Sequence, residues 1–190
     1  DELIDVIIRT FCEPKQDSIL VMNPSFSMYR FYAEINENKV IETALDANFQ
    51  INKDAFLQLI KENSPKMFFI CSPNNPTGNS IENIEYFLQN FNGILVVDEA
   101  YIDFSGKDSA VKLLPKYQNL IVLQTFSKAW GMAAARVGAA YASPEITQII
   151  NKVKSPYNVS SLSLSLVSDA LDADHFLQKN VDEILAEKSW

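Results

Sequence analysis

The chain has 190 residues, 47% of them apolar, with 24 acidic side chains against 16 basic ones and a net charge of −8. That is enough apolar sequence for one packed core, which excludes a disordered chain, and an acidic balance without a lysine or arginine cluster speaks against nucleic acid or an anionic membrane as partner. No apolar run approaches bilayer-spanning length, and no basic start with an apolar core and cleavage site precedes the first helical stripe.

Leu3, Ile4, Ile7, Ile8 and Phe11 recur at helical spacing from the very start, with no initiating methionine and no preceding cap. Glu13 to Asp17 turns the chain into a strand at Ser18 to Met22, and Asn23-Pro24-Ser25-Phe26 follows it. Met28, Tyr29, Phe31 and Tyr32 continue as helix packing residues. Residues 39 to 42 form a weaker strand, and Asp54 to Ile60 has helical spacing with Phe56, Leu57 and Ile60 on one side. Met67 to Cys71 is a continuous apolar run of strand length, suited to a sheet covered on both faces. A loop with two prolines and a glycine, Ser72 to Gly78, comes next. Ile81 to Phe91 is helical and ended by Gly93, and Ile94 to Val97 is a buried strand that runs into Asp98-Glu99-Ala100-Tyr101. Ala110 to Tyr117 reads as a helix, Leu120 to Leu123 as a strand, Ala129 to Ala135 as a helix opening after a Ser-Lys turn, and Val137 to Tyr141 as another strand. Helices fill Pro144 to Val153 and two segments after Pro156. The last stripe, Val181, Ile184 and Leu185, meets no glycine or proline stop before Trp190. Uncapped stripes at both ends predict a piece of a longer protein, with apolar faces left open on its first and last helices.

Alternating strands and helices call for a three-layer α/β/α sandwich with a mostly parallel sheet. In such sheets ligands sit beyond the carboxyl ends of the strands. Four chemically unusual stretches directly follow strands here: Pro24 to Phe26, Ser72 to Gly78, Asp98 to Tyr101, and Thr125 to Lys128. Cys12 and Cys71 have neither metal-site nor redox spacing and read as buried, reduced thiols of a cytoplasmic protein. The single histidine, His175, lies in a polar stretch and reads as a surface residue; no metal site is expected.

Lys128 is the residue to explain. An amine in an apolar turn loses hydration in its charged form, so its pKa falls and it becomes a nucleophile toward an aldehyde. Thr125 and Ser127 hydroxyls, free N–H groups at a helix start, and Arg136 eight residues on would suit a phosphate. Taken alone, the segment fits a surface Ser-Lys turn and a surface arginine equally well. Asp98 ends an apolar strand, where a charge calls for a cationic partner; capping of the next segment or a magnesium ion are the other readings. Tyr101 could turn its hydroxyl to the same pocket or pack half-buried. Asn75 sits in a loop stiffened by Pro73 and Pro76, or serves ordinary turn chemistry. Phe26 could lie against an aromatic ring or in the core.

SPNNPTG at 72 to 78, VDEAYIDF at 97 to 104 and TFSKAWGMAAARVG at 125 to 138 together resemble the signature stretches of the pyridoxal-phosphate-dependent aminotransferases of the aspartate-aminotransferase fold. PSFSMY at 24 to 29 and SPYNVS at 155 to 160 are most similar to the histidinol-phosphate branch of that family. The resemblance implies the large domain of a fold type I transferase over residues 1–190, without the N-terminal arm and the small C-terminal domain. It implies pyridoxal 5'-phosphate as cofactor, Lys128 as its Schiff-base lysine, and Asp98 as partner of its ring nitrogen. Asn75 and Tyr101 match the phenolic-oxygen positions, Thr125, Ser127 and Arg136 the phosphate positions, and Phe26 the ring-stacking position, where the family commonly has tyrosine. The reaction implied is exchange of an amino group between a small amine donor, histidinol phosphate, and a 2-oxo acid, in histidine biosynthesis and by a homodimer. A decarboxylase of a phosphorylated amino acid and a non-catalytic sensor domain are the competing readings. A piece lacking the arm and the small domain is expected to be inactive alone.

Overall fold

The computed structural model describes residues 1–173 and 175–188. The end of the last stripe at Trp190 lies outside them. Six strands form one sheet: β1 (Ser18–Asn23), β2 (Lys39–Ala44), β3 (Met67–Cys71), β4 (Ile94–Asp98), β5 (Leu120–Thr125) and β6 (Gly138–Ala142). Their spatial order is β2-β1-β3-β4-β5-β6, parallel throughout except for the antiparallel edge strand β6. The helices are α1 (Glu2–Phe11), α2 (Met28–Ile35), α3 (Lys53–Asn63), α4 (Ile84–Asn90), α5 (Pro144–Val153), α6 (Ser161–Asp172) and α7 (His175–Lys188).

The alternation of side chains along β3 explains the layers, because neighbouring residues of a strand face opposite sides of the sheet. Phe68 packs against Phe56 of α3, Phe87 of α4 and Phe91, with ring centroids 5.4 to 6.1 Å apart. The next residue, Phe69, stacks on Tyr29 of α2 at 4.8 Å. Helices α1, α2 and α5 pack together on the Tyr29 side. The predicted three layers and mostly parallel sheet are therefore present, and β3 is wholly buried between them.

Several predicted elements differ. Ala110 to Tyr117 yields only one 3₁₀ turn at Ala110–Leu113, because Pro115 has no N–H to continue a helix, although Leu114 before it keeps helical φ and ψ. No α-helix opens after Lys128. The N–H of Gly131 bonds back to the Lys128 carbonyl at 2.9 Å, Gly131 takes φ +67°, and Met132 bonds to the Phe126 carbonyl, so the chain makes a closed turn and one 3₁₀ turn at Ala133–Ala135. The apolar stripe of α1 is not open: Ile4, Ile7 and Ile8 are buried in the main core. The last helix fits the expectation better, with Ile184 50% exposed, although Val181 is buried. Cys12 and Cys71 are buried free thiols, each pushed up to about 12 chiefly by burial. His175 is exposed.

Gly93 is required by close approach, since a Cβ there would lie 2.4 Å from the Lys66 carbonyl oxygen at the entry to β4. Thr43 of β2 is the opposite case, a buried side chain whose hydroxyl has no hydrogen-bond partner among the described residues. Valine has the same shape without the desolvation penalty. Thr43→Val is therefore expected to raise stability by about 1 kcal/mol, measured as a higher urea midpoint at unchanged slope; a loss would mean that the hydroxyl is partnered.

Candidate active site

The five parallel strands end on the same edge of the sheet, and the sheet reverses its winding between β1 and β3. From β1 the chain moves outward to β2 and then returns to place β3 on the other side of β1, so the loops after β1 and β3 diverge around a crevice. Asn74 bridges it. This side chain is 2% exposed, accepts from the Ser25 hydroxyl at 2.8 Å, and donates to the Pro24 carbonyl at 3.0 Å and to Thr77 Oγ1 at 2.8 Å. The prolines alone do not hold this loop, as the sequence had led us to expect. A buried amide does, and the sequence signal for it was the doubled asparagine, of which only the second was singled out.

Beyond the strand ends lies a cavity of about 450 Å³, and all eight residues predicted for the site line it. Its floor is Asp98, the last residue of β4 and 8% exposed. One carboxylate oxygen accepts the Ala100 N–H at 3.0 Å and the other the Tyr29 hydroxyl at 2.7 Å. No lysine or arginine side chain pairs with it among the described residues. Burial pushes its pKa above the ordinary value of 3.8, and the two hydrogen bonds pull against that shift. Phe26 forms part of the wall, half-buried and edge-on to the Tyr29 ring at 5.6 Å. Asn75 and Tyr101 are half-buried, and the Asn75 side chain makes no hydrogen bond among the described residues.

The opposite rim comes from β5 and the turn after it. Thr125 Oγ1 accepts the Ser127 N–H at 3.1 Å, so that N–H is already taken, and the free N–H groups of a helix start are not what this turn offers. Arg136 is exposed, in the left-handed region at φ +55°, and donates to the Ala133 carbonyl at 3.0 Å. Lys128 is exposed too, its Nζ 5.3 Å from the centre of the Tyr101 ring. The apolar burial expected of the amine is absent.

Sequence reasoning missed Tyr29 and Glu99. Tyr29 was assigned to packing, and it does pack, yet its hydroxyl reaches the cavity floor. Glu99 is 3% exposed and accepts from the Ser109 hydroxyl, the Ala110 N–H and Gln124 Nε2 at 2.6 to 2.9 Å, which ties the 3₁₀ turn to β5. Its place beside Asp98 on an apolar strand was the only signal.

The cavity thus brings together the Lys128 amine, the Arg136 guanidinium, the hydroxyls of Tyr101, Thr125 and Ser127, the free amide of Asn75, an aromatic wall and a buried carboxylate that no lysine or arginine pairs among the described residues. This donor set fits an anionic, planar ligand with a cationic ring position. The sequence model of the aminotransferases of class I and II matches residues 1–189. The chain belongs to that family. It is 46% identical over 191 residues to the histidinol-phosphate aminotransferase of Parabacteroides distasonis and 46% identical over 192 residues to that of Cytophaga hutchinsonii, covering 100% of this chain and 55% of each relative. The chain therefore spans about half the length of these aminotransferases. Among solved structures, the histidinol-phosphate aminotransferase of Clostridium acetobutylicum superposes with a TM-score of 0.84 at 25% identity, covering 95% of this chain and 54% of that one. The enzyme of Sinorhizobium meliloti, solved with pyridoxal-5'-phosphate, gives 0.84 at 21% identity, covering 94% and 50%, a likeness of fold.

Because Asp98 is raised in the folded chain, its protonated form is favoured by folding. Its contribution to stability is complete below pH 3.8 and is lost as pH rises through the folded value. Asp98→Asn is expected to raise the melting temperature of the ligand-free protein at neutral pH, the advantage vanishing as pH falls toward 3.8. Calorimetry across that range would refute the assignment if the two melting curves stayed parallel.

Proposed function

We propose that this chain is the cofactor-binding large domain of a pyridoxal-phosphate-dependent histidinol-phosphate aminotransferase, which moves an amino group between histidinol phosphate and 2-oxoglutarate in histidine biosynthesis. The observation that carries the reading is the convergence of all eight predicted residues on one cavity at the carboxyl edge of the sheet. The relatives at 46% identity support the substrate class. A structural likeness to the L-threonine-O-3-phosphate decarboxylase of Porphyromonas gingivalis, TM-score 0.78 at 19% identity, is one of fold and does not favour decarboxylation. In this reading the full-length enzyme is a cytoplasmic homodimer.

Each side chain then has a task. Asp98, ionised, would hold a proton on the ring nitrogen, and Phe26 would lie against the ring. Asn75 and Tyr101 would donate to the phenolic oxygen, while Thr125, Ser127 and Arg136 would take the phosphate. Bound pyridoxal phosphate supplies a carbonyl that exchanges amines and a ring that accepts the electrons left by a departing proton. Lys128 would be the amine that holds the cofactor's carbonyl group, and its Nζ would serve as the base that takes the proton from the substrate carbon and the acid that returns it.

In full-length protein incubated with pyridoxal phosphate, borohydride reduction and peptide mapping should place the pyridoxyl group on Lys128. Lys128→Ala should lose the label and lower amino transfer from histidinol phosphate by at least about 10²-fold. A label on another lysine would end this assignment.

A further inference from the structure

Tyr29 is wholly buried, and the place of its ring is fixed from two sides: stacked on Phe69 of β3 with planes 15° apart, and edge-to-face with Phe26 at 82°. Phenylalanine would fill that space without burying a hydroxyl, so packing alone does not account for a tyrosine. The hydroxyl donates to an oxygen of Asp98 at 2.7 Å, with the Cys71 thiol beside it. It is the only side chain that hydrogen-bonds the Asp98 carboxylate among the described residues. The Ala100 N–H holds the other oxygen, so both ends of the carboxylate are tied and its plane cannot rotate.

We propose that Tyr29 is a positioning residue of the site: its hydroxyl fixes the Asp98 carboxylate in orientation and in its ionised form, so that it meets a protonated ring nitrogen. This rests on the pyridoxal-phosphate reading above. Two consequences follow from the geometry. A hydrogen bond donated to a carboxylate favours the charged form and so opposes the burial that favours the neutral one. The same ring carries Phe26 on its edge, so one residue of α2 sets both the floor and one wall of the cavity. The other ionisable group acting on this pair is the Cys71 thiol from β3, whose own pKa burial pushes up.

The test uses full-length protein with Tyr29→Phe, Tyr29→His and site-specific Tyr29→3-fluorotyrosine. In cofactor-free protein, carbon-13 NMR of the aspartate carboxyls should show Asp98 titrating higher in Tyr29→Phe by about 1–2 pH units, the equivalent of one hydrogen bond to a charged group. The more acidic fluorotyrosine, which keeps the ring and the fold, should move it lower. With nitrogen-15-labelled pyridoxal phosphate bound, Tyr29→Phe should shift the ring nitrogen toward its unprotonated signal and lower kcat roughly 10- to 100-fold with little change in KM. Histidine, a donor, should restore part of kcat. An Asp98 titration unmoved in the fluorotyrosine protein overturns the proposal whether or not Tyr29→Phe folds. A moved titration with unchanged ring-nitrogen signal and kcat overturns it as well, leaving Tyr29 a structural bond. Failure of wild-type protein to take up pyridoxal phosphate would instead refute the cofactor reading, and the carboxyl titration would still report on the Tyr29 bond.

Discussion

A carboxylate buried at the end of a central strand, with hydrogen bonds but no cation, is the constraint on which this structure turns. An uncompensated buried charge costs several kcal/mol, so a fold that keeps one needs fixed donors around it. Asp98 has two, from Tyr29 and Ala100. Its neighbour Glu99 shows the contrasting case. It is as deeply buried, but three donors converge on it, so it acts as a clasp between the 3₁₀ turn and β5. Two adjacent carboxylates thus take different roles, one on the last residue of β4 and the other just beyond it, held by different donors. Perturbed ionisation in a cleft marks a functional site better than charge alone.

The position of Asp98 depends in turn on the sheet around it. Register pairs Cys71 of β3 with Asp98 and Asp98 with Leu123 of β5, so β3 and β4 end level while β5 runs on to Thr125. Loops leaving a level edge can converge only if something joins them, and Asn74 does so with three side-chain hydrogen bonds to residues 24, 25 and 77. The placement of Phe26 and Asn75 on one cavity follows from that amide.

The fold class was legible because its signals are periodic: the apolar runs at β3 and β4 and the stripes of α1 and α5 have the right spacing and length. The positions of Asp98 and Lys128 were legible because each follows a strand. What remained hidden depended on contacts distant in sequence. Tyr29 lies 69 residues from Asp98 along the chain, and nothing local distinguishes a packing tyrosine from one whose hydroxyl reaches a carboxylate. Asn74 and Asn75 look alike in sequence, yet one is buried and bonded and the other faces the cavity. The turn after Lys128 was misread for a different reason. Its alanines favour a helix, but Gly131 in the left-handed region closes the chain on itself first.

The two residues most distant in character, Asp98 and Lys128, also sit on different packing units. Asp98 ends a strand whose apolar residues belong to the main core, whereas the segment from Phe126 to Val137 packs mainly on α6 through a small separate cluster of Ala135, Val137 and Val167, with Phe126, Met132 and Val159 around it. The link between the units is the β5–β6 pair, extended by the bond from the Phe126 N–H to the Val137 carbonyl. A charge that must be held against desolvation is served by the larger core, where its hydrogen-bond donors are themselves packed. The amine role proposed for Lys128 would need rotatable reach, and an exposed lysine on a glycine-closed turn retains it. The expected burial of Lys128 would have restricted that freedom. In the proposed reading water would leave the amine only when the cavity beside it is filled, so its dehydration would belong to the occupied site rather than to the turn that carries it.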